Sequence, residues 1–252
     1  MAKPHQEICT LRVAIITAPR KTSYLQATVA SLLECVGSAE PPEIGVFSDS
    51  LPCNLSMPPN VQVWFRVQAG LDRIRLLKTY GTTNLQRALR WSAEGSEYAC
   101  VFEDDVLFAN DWLQKALLVA GELETIGSPW CLSLQHFLPI TEFTKVADTG
   151  QNEVFRWNES VPLFGSQGYL MPKQLALDVA DAYERKIRET THVNDRKYWM
   201  MDEGMIRFCS VLRMFSMYVP HPCLIQHVGA DSSVFPGEKL DSNRSTRYFA
   251  KY

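Results

Sequence analysis

The stretch Tyr98-Ala-Cys-Val-Phe-Glu-Asp-Asp105 decides how the rest of this sequence is interpreted. Its first five residues form a short apolar run with β-branched and aromatic members, which is typical of a buried strand. Three acids follow in succession at the point where that strand is predicted to end. Like charges this close repel one another and resist removal from water, so their position needs a physical reason.

Two interpretations of Glu103, Asp104 and Asp105 are open from their spacing alone. In the first, a divalent cation makes the cluster tolerable, because carboxylate oxygens are the hard ligands that Mg²⁺ or Mn²⁺ prefers. In the second, the acids lie in a solvated loop, face water and cap the helix that is predicted from Trp112. Other parts of the sequence are needed to distinguish these two interpretations.

Composition places the chain among ordinary globular proteins. It has 252 residues, 46% hydrophobic residues and a net charge of −3, which supports one domain over 1–252 with no general attraction to nucleic acid or membrane. Neither a signal peptide nor a membrane-spanning segment is recognisable. The seven cysteines form no CxxC pair, and several lie in apolar runs as buried thiols. We therefore expect a cytoplasmic protein, in the host cytoplasm if it is viral.

Strands and helices alternate through the first 135 residues. Strands are predicted at Leu11–Thr17, Glu43–Phe47 and Val61–Val67, before the one that ends in acids, and helices lie near 23–33 and 84–93. This alternation predicts an α/β fold with a Rossmann-type central sheet flanked by helices. Ligands bind at the carboxyl edge of such sheets, so Thr17–Arg20, Asp49 and the three acids are expected to meet in one crevice.

The second half of the chain is less regular. A polar and aromatic stretch at 141–157 is either a hairpin or a flexible loop, and His221, between two prolines, is expected in a turn. The other elements predicted here are a strand at Trp130–Leu134, a turn at 164–168 leading into Tyr169–Met171, helices at about Pro172–Arg188 and Met201–Phe215, and a strand at Cys223–Gln226 ending at His227.

Four motifs now stand in order: Glu103-Asp-Asp105, Phe164-Gly-Ser-Gln-Gly-Tyr169, Met201-Asp-Glu203 and Gln226-His-Val-Gly229. Together they resemble glycosyltransferases of the GT-A fold, and among these the inverting N-acetylglucosaminyltransferases of N-glycan branching. The acid triplet looks like the Glu-Asp-Asp form of the family's Asp-x-Asp metal motif. The likeness spans about 11–233, and its short motifs are separated by unmatched sequence.

The resemblance implies a single GT-A-like domain with a mixed central sheet. A nucleotide-sugar-binding half would cover about 11–135 and an acceptor or catalytic half about 136–233, followed by a polar, basic and aromatic tail at 234–252. The activity implied is metal-dependent, inverting transfer of a sugar from a nucleotide-sugar donor, with a UDP-sugar favoured, to an acceptor hydroxyl. The branching enzymes are membrane-anchored in the Golgi, so the lack of an anchor here favours a bacterial or phage relative.

The same resemblance assigns a metal site and a general base. Asp105 and His227 would ligate Mn²⁺ or Mg²⁺, which bridges the donor's diphosphate and neutralises the leaving group. Either Asp202 or Glu203 would take the proton of the acceptor hydroxyl. The plainer alternatives are a structural histidine after an apolar run and an ordinary acid pair in the first turn of a helix.

The donor would be held by residues from several strand ends and one helix. Glycines in the turn at Gly165-Ser-Gln-Gly168 permit close backbone approach beneath the sugar or acceptor, although strand termination is their commoner use. Arg90, one helical turn after Arg87, is interpreted as a solvated surface residue. The donor-binding set is Thr17, Arg20, Asp49, Arg87, Glu103 and Asp104.

The acceptor stays open between a glycan and another class of molecule. The alternative acceptor is DNA bearing 5-hydroxymethylpyrimidines, as in phage glycosyltransferases, for which the tail and the basic residues Arg66, Arg73, Arg75 and Lys78 would bind phosphates.

Other classes of function are open as well. A second alternative is a nucleotidyltransferase, although Thr17-Ala-Pro-Arg-Lys21 lacks the glycines expected after the first strand. A third is an inactive nucleotide-sugar-binding module.

Overall fold

The structure, a computed structural model, describes residues 11–17, 23–48, 57–59, 61–65, 84–94, 96–136, 138–158, 167–189 and 214–228. Its strands are β1 Arg12–Thr17, β2 Glu43–Ser48, β3 Val61–Phe65, β4 Tyr98–Glu103, β5 Val106–Phe108, β6 Trp130–Ser133, β7 Phe143–Asp148, β8 Glu153–Trp157, β9 Gly168–Pro172, β10 Ser216–His221 and β11 Ile225–His227. Its helices are α1 Leu25–Glu34, α2 at 84–93, α3 Trp112–Thr125 and α4 Lys173–Glu189.

Within these ranges, nine strands form one sheet in the order β3-β2-β1-β4-β9-β6-β10-β8-β7. The pairs among β3, β2, β1 and β4 are parallel, and β9 runs antiparallel between β4 and β6. β10 is parallel to β6, and the hairpin β7–β8 adds two antiparallel strands at the far end. The expected α/β class is confirmed: the chain forms one domain with a large mixed sheet of Rossmann-like type.

Helices cover both faces of this sheet because its central strands are apolar on both sides. In β1, Val13 and Ile15 join the core beneath α1 and α3, whereas Ala14 between them belongs to the core beneath α2 and α4. The helix α1 buries Leu25, Val29 and Leu32, whose spacing of four and three residues places them on one side of a helix.

The small two-stranded sheet of β5 and β11 lies beside the end of β4. Its strands are antiparallel, and His227 is the register partner of Val106. Leu224 donates its amide hydrogen to the carbonyl of Leu134, just beyond β6, at 2.9 Å, and Ala109 donates to the carbonyl of Leu224 at 2.9 Å. The chain between β10 and β11 is thereby held to the carboxyl edge of the main sheet.

Several predicted boundaries need correction. Residues 201–213 of the helix predicted up to Phe215 lie outside the described residues, and Ser216 begins β10, a strand that the sequence pattern did not indicate. His221 closes that strand rather than lying in a turn, and the last strand is Ile225–His227. The open choice at 141–157 resolves as the hairpin β7–β8. None of the described helices is long and apolar enough to cross a membrane.

Candidate functional site

The two aspartates after β4 are buried, although β4 has ended. Asp104 is 1% exposed and Asp105 is 2% exposed, while Glu103, the last residue of β4, is half-buried. The helix α3 begins at Trp112 and has Asp111 at its N-cap, so these acids do not cap it. The interpretation of the triplet as a solvated loop is therefore wrong for both aspartates.

Two threonines hold Asp104 and the turn that follows it. Thr17, at the carboxyl end of β1, donates its hydroxyl hydrogen to Asp104 Oδ2 over 2.5 Å. Thr28 on α1 donates to the carbonyl of Asp104 at 2.8 Å and accepts a hydrogen bond from the amide of Val106 at 3.2 Å. Each hydroxyl replaces water that the buried groups have lost, which makes the burial of this turn possible.

Asp105 contacts a histidine from the opposite part of the chain. His227 Nε2 lies 3.1 Å from Asp105 Oδ2, with 122 residues of sequence between them. The backbone joins the same two segments, because the amide of Val228 donates to the carbonyl of Asp105 at 2.8 Å. Pairing of β5 with β11 therefore positions the carboxylate and the imidazole together. We name Thr17, Asp104, Asp105 and His227 the acidic cluster.

Asp105 and His227 carry atoms of the types that divalent cations bind. Mg²⁺ and Mn²⁺ accept carboxylate oxygen, and imidazole nitrogen also serves Mn²⁺. Asp105 Oδ2 and His227 Nε2 are within hydrogen-bond distance of each other, at 3.1 Å. Within the described residues no group of three or more His, Cys, Asp or Glu side chains is placed to hold a metal.

Gln167 and Gly168, at the start of β9, supply a backbone hydrogen bond and close packing beside the acids. The amide of Glu103 donates to the carbonyl of Gln167 at 2.9 Å, which fixes the start of β9 beside the acids. A Cβ added at Gly168 would lie 2.5 Å from Phe102 Cδ1 and 2.6 Å from Ile225 Cδ1. Glycine is therefore required by close packing against both neighbouring strands.

The donor-binding candidates lie in different surroundings. Thr17 belongs to the acidic cluster, and Ser48, its register partner at the end of β2, is buried and was not singled out from the sequence. The guanidinium of Arg87 lies 5.7 Å from the centroid of the Phe47 ring, near that same strand end. Arg90 forms ion pairs of 2.5 and 3.0 Å with Asp181 and Glu184 on α4, so it ties α2 to α4 at the surface.

Other predicted residues cannot be placed. The following lie outside the described residues: Arg20, Asp49, Gly165, Ser166, Asp202 and Glu203 of the predicted site, the basic residues Arg66, Arg73, Arg75 and Lys78, and the tail 234–252.

A second group of polar side chains, buried except for the half-buried His221, lies where β6 and β10 end. We name Gln135, His136, His221 and Cys223 the neutral cluster. The rings of His136 and His221 are 5.6 Å apart, and the amide of His136 donates to Cys223 Sγ at 3.3 Å. The sequence carried a signal for it, since Gln135 and His136 follow the apolar run of β6 as the acids follow β4.

Burial keeps His136 and Cys223 of this second group uncharged. It lowers the pKa of His136 to about 4, and the neighbouring His221 acts in the same direction, while the carbonyl of Leu138, 3.0 Å from Nδ1, opposes the shift. Burial also raises the pKa of Cys223 to about 12. Near neutral pH His136 is a neutral imidazole and Cys223 is an unreactive thiol.

A comparison with protein families finds no match for this sequence, and a comparison with curated proteins finds none either. Among solved structures, the chain is similar to 4-diphosphocytidyl-2C-methyl-D-erythritol synthase from Anaerococcus prevotii. The two are 12% identical with a TM-score of 0.44, over 92% of this chain and 94% of the other. A likeness this distant transfers neither site residues nor an activity.

Proposed function

We propose that this protein is a metal-dependent glycosyltransferase that takes a nucleotide sugar, with a UDP-sugar favoured, at the carboxyl edge of β1 and β4. The observation that carries the proposal is the contact between Asp105 and His227. A buried carboxylate and an imidazole at 3.1 Å, beside a second buried aspartate, form a site whose negative charge a cation would neutralise.

The described residues suit a cation that binds together with a diphosphate. Mg²⁺ is commonly bound by one or two protein carboxylates together with substrate phosphates, rather than by a complete protein cage. Asp105 and His227 would hold Mn²⁺ or Mg²⁺, and the ion would supply charge neutralisation for the departing nucleoside diphosphate. Thr17 would orient the donor from the end of β1, and Glu103 and Asp104 would do so from the end of β4.

Inversion at the sugar requires a base opposite the leaving group. Asp202 or Glu203 is proposed for this role, with a hydroxyl of a glycan as acceptor. Asp202→Asn or Glu203→Gln is expected to leave UDP binding unchanged and to remove turnover. Full activity in both variants would exclude this acid pair as the base.

Nucleotidyl transfer is the second candidate, because a carboxylate-bound cation at this sheet edge would serve attack on an α-phosphate equally well. The two reactions release different products. A glycosyltransferase given a UDP-sugar releases UDP, whereas a nucleotidyltransferase given a nucleoside triphosphate and a sugar phosphate releases pyrophosphate.

The deciding experiment measures both products with the same protein preparation. The protein is incubated with Mn²⁺ and, in turn, UDP-glucose, UDP-galactose and UDP-N-acetylglucosamine, and then with UTP or CTP plus a sugar 1-phosphate. We expect slow release of UDP from one UDP-sugar even without acceptor, and none when Mn²⁺ is removed by a chelator. Release of pyrophosphate alone would establish the second candidate, and absence of any bound nucleotide by calorimetry would refute both.

The acceptor is tested after the donor. A glycan acceptor is expected to accelerate UDP release. If hydroxymethylated DNA does so instead, its binding should weaken steeply with added salt. The reason is that protein binding releases the cations condensed on the DNA phosphates, and added salt opposes that release.

A further inference from the structure

The strongest unexplained feature near the acidic cluster is the side chain of Gln135. It is 2% exposed, and neither its amide nitrogen nor its amide oxygen has a hydrogen-bond partner within the described part of the chain. It is the only described side chain in which both a buried donor and a buried acceptor are left in this way. A buried polar group without a partner destabilises the fold, so its retention needs a reason.

Gln135 lies at the same sheet edge as the proposed donor site. The amide of Leu134 donates to the carbonyl of Gly168 at 3.0 Å, so Gln135 and Gln167 are the next residues outward from that bond. Gln167 in turn accepts from the amide of Glu103 through its carbonyl, and its own side-chain Oε1 is buried without a described partner. Gln167 therefore adjoins the strand end that carries the acids, and Gln135 lies one strand further along the same edge.

We propose that Gln135, together with Gln167, recognises the hydroxyl groups of the sugar in the donor. This rests on the proposed function and deepens it, because it assigns the part of the site that distinguishes one sugar from another. A primary amide donates and accepts at once, as a hydroxyl does, and it carries no charge. It therefore suits an uncharged hydroxylated ring, whereas a phosphate would be met by cationic groups or backbone amides.

If Gln135 binds the sugar, its replacement should affect stability and sugar recognition in different ways. Gln135→Met keeps the length of the side chain and removes both unsatisfied atoms, so the variant should melt at the same temperature as the parent protein or higher. The same substitution should remove the contribution of the sugar to binding. A glutamine with only a structural role would give the opposite pattern, a lower melting temperature and unchanged discrimination.

The experiment is a calorimetric comparison of UDP with UDP-glucose, UDP-galactose and UDP-N-acetylglucosamine in the presence of Mn²⁺. For the preferred sugar, the ratio of UDP affinity to UDP-sugar affinity should change by about 10-fold between the parent protein and Gln135→Met. The affinity for UDP itself should stay the same. Gln174→Met, at an exposed position of α4, is the matched control and should leave the ratio unchanged.

The outcomes separate the two proposals. If no form of the protein binds UDP, the proposed function fails. If UDP binds and Gln135→Met leaves the sugar ratio as it was, the assignment of Gln135 is overturned and the amide is satisfied by water instead. If the ratio changes in Gln135→Met, with UDP affinity and melting temperature maintained, the assignment stands.

Discussion

The acidic cluster and the neutral cluster occupy the same edge of one sheet and are buried to a similar degree, yet their chemistry is opposite. In the acidic cluster, the carboxylate of Asp104 accepts a hydrogen bond from the hydroxyl of Thr17, and the carboxylate of Asp105 contacts the imidazole of His227. In the neutral cluster, burial suppresses ionisation, so that His136 is a neutral imidazole and Cys223 keeps its thiol proton. Equal burial therefore permits either compensated charge or no charge.

The difference suggests a division of labour along the edge. A site with buried carboxylates suits a cation and the phosphates that accompany it, and a site with a buried amide and the neutral imidazole of His136 suits uncharged hydroxyl groups. A nucleotide sugar contains both parts in one molecule. Substitutions in one cluster should therefore affect the binding of a different part of the donor from substitutions in the other.

The largest effect is expected from Asp105→Asn. The substitution retains the shape of the side chain and removes its charge, so the part of UDP affinity that depends on Mn²⁺ should disappear. Calorimetry with and without Mn²⁺ measures that part directly. Asp148→Asn, at an exposed carboxylate of β7, is the control and should behave like the parent protein. Retention of the full Mn²⁺ dependence in Asp105→Asn would remove Asp105 from the metal site.

The next effect is a dependence of stability on pH that originates in His136. The unfolded histidine binds a proton near its ordinary pKa of 6.5, whereas the folded one does so only near 4. Between these values the unfolded state holds more protons, so the stabilising effect is complete above pH 6.5 and is lost as the pH falls. The loss attributable to His136 by pH 4 is about 3 kcal/mol.

Denaturant unfolding of the parent protein and of His136→Asn at several pH values isolates this contribution. Asparagine can still donate to the carbonyl of Leu138 but does not titrate. The difference in free energy of unfolding between the two proteins should shrink as the pH falls from 7 to 4. A difference that is independent of pH would show that His136 ionises in the fold as it does in the unfolded chain.

The smallest effect is expected from Thr28→Val, because Thr28 contacts the turn of the acidic cluster only through the backbone of Asp104 and Val106. Valine has the shape of threonine but cannot make the two hydrogen bonds to Asp104 and Val106, so the free energy of unfolding should fall by about 1–3 kcal/mol. Thr125→Val, at the exposed end of α3, is the control. An unchanged stability in Thr28→Val would mean that water can replace the hydroxyl in this turn.

Local patterns predicted the first half of the fold well. Strands β1, β2 and β4 and helices α1 and α2 have uninterrupted apolar runs or regular apolar spacing, and each is where it was expected. β10 was missed because Pro220 lies inside it, and proline is usually excluded from strands. The pairing of β10 with β6 extends only to Tyr218, so the missing amide hydrogen of Pro220 breaks no bond in that ladder.

The site was predictable only in part. Because ligands bind at the carboxyl ends of strands in such sheets, polar residues after an apolar strand are site candidates. This reasoning finds Asp104 and Asp105 and would have found Gln135 and His136. The burial of the aspartates was not predictable, since it depends on threonines that are 76 and 87 residues away. The partner of Asp105 is 122 residues away, and no local pattern connects the two, so the sequence linked them through family resemblance alone.

Gly168 acts as a spacer for the proposed metal site. Phe102, which lies three residues before Asp105, and Ile225, two residues before His227, both press on the place where its side chain would be. A methyl group there would push the two strands apart and would lengthen the gap between the carboxylate and the imidazole. The absence of a side chain at Gly168, which contacts neither group, thus sets the separation of Asp105 and His227. Gly168→Ala would therefore alter metal affinity without removing a ligand.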